Sequence, residues 1–223
     1  MSALAASRAP ERTALKQVQD LVRGCARCPT LVRCRTQAVP GDGAAPAEIA
    51  FVGIAPGRFG GDRTGIPFSG DRSGTLLRSM IARSGLDRVF ITNLVRCNPR
   101  DEGGRNRDPS AEEIASCSEH LMRELAIVRP RVIVCLGRMV WTRLAGKKAP
   151  FKPARPATIA MGAATLYPMY HPAYVNRGAY PHRRYLRDFR TLARYLHRAH
   201  TAEQSARESS RRLRDANVAV TSR

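Results

Sequence analysis

Four short apolar runs, separated by stretches of helical periodicity, constrain this chain more than any other feature. Glu48 to Ile54, Val89 to Val95, Arg131 to Leu136 and Thr165 to Tyr170 are each apolar over most of their length and too short for a stable helix. Continuous rather than alternating hydrophobicity is the pattern of strands covered on both faces. Between and around them, Thr13–Gly24, Thr75–Ser84, Ser110–Val128, Arg138–Leu144 and Arg183–Arg198 carry helical spacing. Ser110 and Glu113, just after Pro109, form a capping box that starts the third of these. Strands alternating with helices predict an α/β three-layer sandwich, a central mainly parallel sheet of about four strands with helices on both faces. In such sheets the ligand lies beyond the carboxyl ends of the strands. Three runs end in residues suited to binding: Ile54-Ala55-Pro56-Gly57, the segment Asn93 to Cys97, and His171. One domain over residues 13–200 is expected, between a mobile N-terminus (1–12) and a mobile polar tail (201–223).

Charge narrows the partner. Lys and Arg number 38 against 18 acids, a formal net charge of +20. The tail does not account for it, since residues 201–223 hold five Arg against three acids, whereas His182 to Arg198 holds six Arg and a single Asp. A folded body this basic points to a polyanion, and nucleic acid is preferred to membrane because no segment reaches the ~20 apolar residues of a spanning helix. No N-terminal stretch reads as a signal peptide, so a cytoplasmic, reducing setting and a monomeric protein are expected. In that setting cysteines serve as metal ligands or core residues rather than disulfides.

Cys25 and Cys28 are a C-x-x-C pair, and Cys97 and Cys117 follow a strand and sit on a helix. Four thiolates from two separated places suit a tetrahedral metal or an iron-sulfur cluster, and spacing does not choose between them. Cys135, inside Val132 to Leu136, reads as a core residue. Cys34 lies six residues beyond Cys28 and is the alternative fourth ligand.

Gly53-Ile54-Ala55-Pro56-Gly57, followed by Gly65 to Gly74, is a glycine-rich strand-to-helix passage that allows close backbone approach to a ligand. It resembles the first motif of the iron-sulfur uracil-DNA glycosylases, families four and five of their superfamily. The resemblance continues through Thr92 to Cys97, Asn106 to Ile114, Pro130 to Gly137 and Tyr170-His171-Pro172-Ala173-Tyr174. Apolar Ile54 and the segment Gly70 to Gly74 resemble family five, whereas Asn93 and the His171 motif resemble family four; residues around Asp101 to Arg105 are an insertion.

The resemblance implies a uracil-DNA glycosylase-like fold, a [4Fe-4S] cluster on Cys25, Cys28, Cys97 and Cys117, and excision of uracil or another deaminated base from DNA. A base inside a duplex must be flipped out to be reached. Phe68 is then expected to stack on it, the Asn93 amide to read its edge, and His171 to donate a hydrogen bond as charge develops on the leaving base. Asp71 is the candidate to activate water, with capping of the following helix as its competing role. Asn106 is a second candidate for positioning that water. Gly53, Ile54, Ala55 and Gly57 would line the base pocket. Ser69 and Ser73 would hold flanking phosphates with Arg72, Arg177, Arg183 and Arg184, and Tyr174 and Val175 would wedge into the vacated stack. The rival reading is a non-catalytic nucleic-acid-binding module stapled by zinc or a cluster on the same cysteines; it has no need of Asp71 or His171.

Overall fold

A computed structural model describes residues 9–199. In chain order it contains α1 (Ala9–Arg23), α2 (Pro29–Cys34), β1 (Asp42–Gly43), β2 (Ile49–Gly53), α3 (Gly61–Thr64), α4 (Arg72–Arg83), β3 (Val89–Asn93), α5 (Ala111–Val128), β4 (Val132–Leu136), α6 (Arg138–Ala145), β5 (Ile159–Met161), β6 (Ala164–Met169), α7 (Pro172–Asn176) and a helix, α8, over residues 182–199. Among the described residues, 9–12 of the expected mobile N-terminus are helical, as part of α1. The rest of that segment and the expected mobile tail lie outside the described residues.

The sheet order is β1-β3-β2-β4-β6-β5. β3, β2, β4 and β6 pair in parallel and are the four strands expected from the apolar runs. The sheet has six strands because β1 and β5 add antiparallel edges. Those edges are two and three residues long and at least partly exposed, so they carry no apolar run to announce them. β2 and β4 are buried at every position, as continuous apolar runs between two helical layers must be.

Each layer takes alternate residues of the same strands. Ile49, Phe51, Val132 and Val134 pack with Leu77 and Met80 of α4 and with Tyr185 and Phe189 of α8. Ala50, Val52, Ile133 and Cys135 face the other way, onto Val18 and Val22 of α1, Leu121 and Leu125 of α5, and Trp141 of α6. Cys135 is fully buried within β4 and packs in this layer as a core residue, and burial alone pushes its thiol up to about 12.

The chain leaves β2 through α4 on one face to reach β3, then crosses the opposite face through α5 to β4 on the other side of β2. Two right-handed crossovers in opposite directions leave a crevice at the carboxyl end of β2. In the β2/β3 register Gly53 stands beside Asn93.

Just past β3 the chain buries a cation. Arg96 is 1% exposed, and its guanidinium donates to Glu124 of α5 at 2.7 Å and to the carbonyl of Asn93. Glu124, also fully buried, accepts from the Thr92 hydroxyl at 2.7 Å and the Gly41 amide at 2.8 Å. One carboxylate therefore ties β3, α5 and the segment before β1 together. Replacing Glu124 with Ala strands the guanidinium, and a loss of about 3–5 kcal/mol is expected. Urea unfolding measures it as a lower midpoint at unchanged slope; a midpoint close to that of the native protein would show that the pair contributes little.

Candidate active site

A cleft of about 370 Å³ opens at the carboxyl ends of the parallel strands. Asn93, the last residue of β3, is 1% exposed and borders it, yet neither its Nδ2 nor its Oδ1 has a hydrogen-bond partner in the protein. A buried amide left unmet costs about 1–3 kcal/mol, and such groups are rare in folded proteins. Its place beside Gly53 is sterically exacting. A Cβ on Gly53 would stand 2.5 Å from Asn93 Oδ1 and 2.6 Å from the Phe68 ring, so only glycine lets the two side chains meet.

Phe68 forms a wall of the cleft. Its φ is +50°, a left-handed conformation that costs a bulky residue about 1–3 kcal/mol and persists only where its surroundings enforce it. Arg78 of α4 supplies the enforcement, donating through Nε to the Phe68 carbonyl at 2.8 Å and through Nη2 to the Pro67 carbonyl at 2.9 Å. Gly74 lies so close beneath that a Cβ there would run into the Phe68 carbonyl group. Arg78 sits ten residues downstream on a helix, and nothing in the local sequence marks it as a clamp for this loop.

His171 faces the Phe68 ring across 5.6 Å between centroids. It is the N-cap of α7, where Nδ1 accepts the Ala173 amide at 3.1 Å. That bond fixes the tautomer: with Nδ1 an acceptor, the proton sits on Nε2. Burial, assisted by the Arg177 charge, pushes the imidazole down to about 4, so the ring is neutral at physiological pH.

Asp71 caps the helix that follows it and also lines the cleft. Oδ1 caps α4 by accepting the Gly74 amide at 2.8 Å, while Oδ2 points back toward Gly57 and Gly60 on the cleft wall. Asn106 reaches the same spot from the loop after β3, with its Nδ2 toward Gly57 and its Oδ1 accepting from the Arg58 amide and from Asn98. Asn98 borders the cleft and was missed in the sequence, because an Asn beside a cysteine in a loop gives no periodic or motif signal.

Ile54, Ala55, Gly57 and Ser73 also line the cleft; Gly53 lies behind Phe68 and Asn93, and Ser69 lies away from the lining, its hydroxyl bonded to Thr64 at 3.2 Å. Arg177 borders the cleft, Arg72 lines an adjoining groove, and Arg184 lines a separate cavity with Asp188. Arg183 is exposed on α8. Tyr174 is exposed and stacked on Tyr170. Val175 is 1% exposed and belongs to the core, so it is not available as a wedge; it occupies the inward face of the short helix that Tyr174 leaves on the outward one.

Of the four expected ligands, Cys97 and Cys117 are buried and Cys25 and Cys28 half-buried, and Cys28, Cys97 and Cys117 each feel the charge of at least one other of the set. The surroundings suit sulfur ligands. Arg35 donates to Cys97 Sγ at 3.0 Å and to the Cys25 carbonyl at 2.8 Å, and the Arg96 amide donates to Cys117 Sγ at 3.3 Å. Burial raises Cys28 and Cys117 and pushes Cys97 up to about 11, so the thiols hold their protons until a bound cation displaces them. Cys34 faces elsewhere, 3.5 Å from the carbonyls of Leu31 and Asn98. Among the described residues no three His, Cys, Asp or Glu close around a single metal ion. No helix among them is long and apolar enough to cross a membrane.

The sequence profile of the Uracil DNA glycosylase superfamily matches residues 40–196, a span that takes in the whole sheet and every wall of the cleft. A type-4 uracil-DNA glycosylase of Archaeoglobus fulgidus is 46% identical over 129 residues, covering 56% of this chain and 61% of that protein. One from Thermotoga maritima is 37% identical over 164 residues, 72% of this chain and 82% of its own length. A type-5 uracil-DNA glycosylase of Pyrobaculum aerophilum is 34% identical over 186 residues, 68% of this chain and 79% of its own. The match spans little more than half of some relatives, 54% of the type-4 protein of Sulfurisphaera tokodaii among them. With the profile covering most of the chain and the Thermotoga protein matched over four-fifths of its length, this chain belongs to the uracil-DNA glycosylase superfamily.

Proposed function

We propose that this chain is a uracil-DNA glycosylase of base-excision repair, which flips uracil from DNA and hydrolyses its N-glycosidic bond to leave an abasic site. The observation that carries this reading is the buried, unpartnered amide of Asn93, set with Phe68 over Gly53 in the cleft that His171 also lines. The amide offers one donor and one acceptor side by side, matching the carbonyl and adjacent N–H on the edge of uracil. Phe68 supplies the apolar face on which the ring stacks. A protein that only gripped the backbone would have no use for either group.

Bond cleavage leaves negative charge on the departing base and positive charge on the sugar. His171 meets the first as a neutral Nε2–H donor whose orientation is set in advance by the Ala173 amide, so no reorganisation is needed as charge develops. Asp71 meets the second. With Oδ1 occupied in the helix cap, Oδ2 is the free acceptor for a proton of the attacking water, and its charge stabilises the sugar cation. Basic side chains at the rim, Arg177 in the cleft and Arg72 in the adjoining groove, supply positive charge for DNA phosphates.

Cys25, Cys28, Cys97 and Cys117 would hold a [4Fe-4S] cluster. When bound it would cross-link the turn after α1 to the segment after β3 and the second turn of α5, a structural contribution rather than a step in hydrolysis.

An excision assay on a duplex with a single uracil, followed by alkaline cleavage of the abasic site, tests the activity, and an intact strand would refute it. His171→Ala is expected to slow excision by about 100-fold or more while leaving the dissociation constant for DNA nearly unchanged. Because His171 is held down at about 4, its neutral form persists far below the usual imidazole midpoint. Excision should therefore show no loss centred near pH 6.5, and a midpoint there would remove the neutral donor from the mechanism. The sign for stability is the same: a depressed folded value gives stability present above about 6.5 and lost as pH falls through about 4. Cys97→Ala is expected to lose iron and soluble yield together, whereas a soluble, fully iron-loaded variant would place Cys34 in the ligand set.

A further inference from the structure

We propose that Asn98 is a positioning residue for hydrolysis: held by Arg100 and Asp62, it turns Asn106 so that only the amide NH2 of Asn106 faces the attacking water. This rests on the role given above to Asp71 and Asn106.

Asn98 is 1% exposed, and every polar group of its side chain is committed. Nδ2 donates to the Pro56 carbonyl at 2.7 Å and to Asn106 Oδ1 at 2.9 Å, while Oδ1 accepts from Arg100 Nε at 2.7 Å. The flipped amide would set its oxygen against two acceptors and its NH2 against a guanidinium, so one orientation is imposed. Arg100 is fixed in turn by Asp62, at 2.5 Å from Nη2 to Oδ2. Asp62 has no exposed surface, and its two oxygens also receive the Thr36 amide at 3.0 and 3.2 Å. A buried carboxylate of α3 thus dictates, through two side chains, which way Asn98 points.

The consequence falls on Asn106. Its Oδ1 already accepts from Asn98 and from the Arg58 amide at 3.2 Å, which uses both lone pairs. What remains for the cleft is Nδ2, on the side of Gly57 where Asp71 Oδ2 also lies. A donor and an acceptor then divide the water between them. Asn106 donates to a lone pair of its oxygen, and Asp71 takes its proton. An Asn106 turned the other way would compete with Asp71 for the proton instead.

The inserted segment builds this arrangement. Asp101 and Arg105 close a tight turn, with the Asp101 amide on the Arg105 carbonyl and the Arg105 amide on Asp101 Oδ1, each at 2.9 Å. The turn brings Asn106 back opposite Arg100 as an isolated antiparallel bridge. The residue that orients Asn98 and the residue that Asn98 orients are therefore cross-strand partners.

A double-mutant cycle in single-turnover excision tests the proposal, using the native protein, Asn98→Ala, Asn106→Ala and the double variant, with DNA dissociation constants measured alongside. Asn98→Ala is expected to lower the excision rate on the order of 10- to 100-fold, with DNA affinity within about 3-fold of native. On the Asn106→Ala background the same change should do almost nothing, because the group it orients is gone. The proposal is overturned by a native rate in Asn98→Ala, by equal losses in both backgrounds, or by a loss confined to DNA affinity. Should Asn98→Ala not fold, the cycle is run with Arg100→Ala, whose side chain is partly exposed, and the same outcomes decide. A native protein that leaves uracil in place refutes the function itself. A native protein that excises uracil while Asn106→Ala keeps its rate refutes the positioning role alone.

Discussion

A guanidinium taken out of water costs several kcal/mol unless it is paired, and much of this structure is arranged around meeting that requirement at Arg96. Glu124 answers it from the middle of α5, and in doing so also takes the Thr92 hydroxyl and the Gly41 amide. The same guanidinium holds the carbonyl of Asn93, and the Arg96 backbone amide reaches Cys117 Sγ. Asn93, proposed to read the base, and Cys117, proposed as a cluster ligand, thus both bond to the residue at the centre of one buried ion pair. Displacing α5 would disturb both together.

Around that anchor the cleft is built from groups whose direction is settled before any ligand arrives. Arg78 and Gly74 force Phe68 into a left-handed backbone, the Ala173 amide selects the tautomer of His171, and the helix cap leaves Asp71 one free oxygen. Among the described residues that line the cleft, only Asn93 has buried side-chain polar atoms without a hydrogen-bond partner. A site of this kind stores its cost in an unmet amide and a strained loop, and a ligand that bonds to that amide recovers part of it. The neutrality of His171 follows from the same enclosure, since a low-dielectric pocket disfavours the imidazolium that an exposed histidine would readily form.

Much of this was legible beforehand because short apolar runs bounded by Gly, Asn and His fit little besides parallel strands with a site at their ends. The four parallel strands, the capping box of α5 and the core character of Cys135 follow directly from that pattern. The edges β1 and β5 did not, since pairs of exposed residues acquire strand geometry only from the neighbour they bond to. Val175 was misjudged for a related reason: adjacent residues on a one-turn helix face opposite ways, and only the packing of α7 decides that Tyr174 is the outward one.

The sequence by itself determined the layered α/β architecture, the basic character of the folded body and the identity of the residues that gather at the strand ends, because hydrophobic period and turn chemistry are local properties. The tertiary structure alone decided which end of the Asn98 and Asn106 amides faces the cleft. That choice is made by hydrogen bonds between segments tens of residues apart, Asp62 to Arg100, Asn98 to the Pro56 carbonyl and the Arg58 amide to Asn106. No local pattern encodes such partners, since a donor finds its acceptor only after the sheet has brought them together.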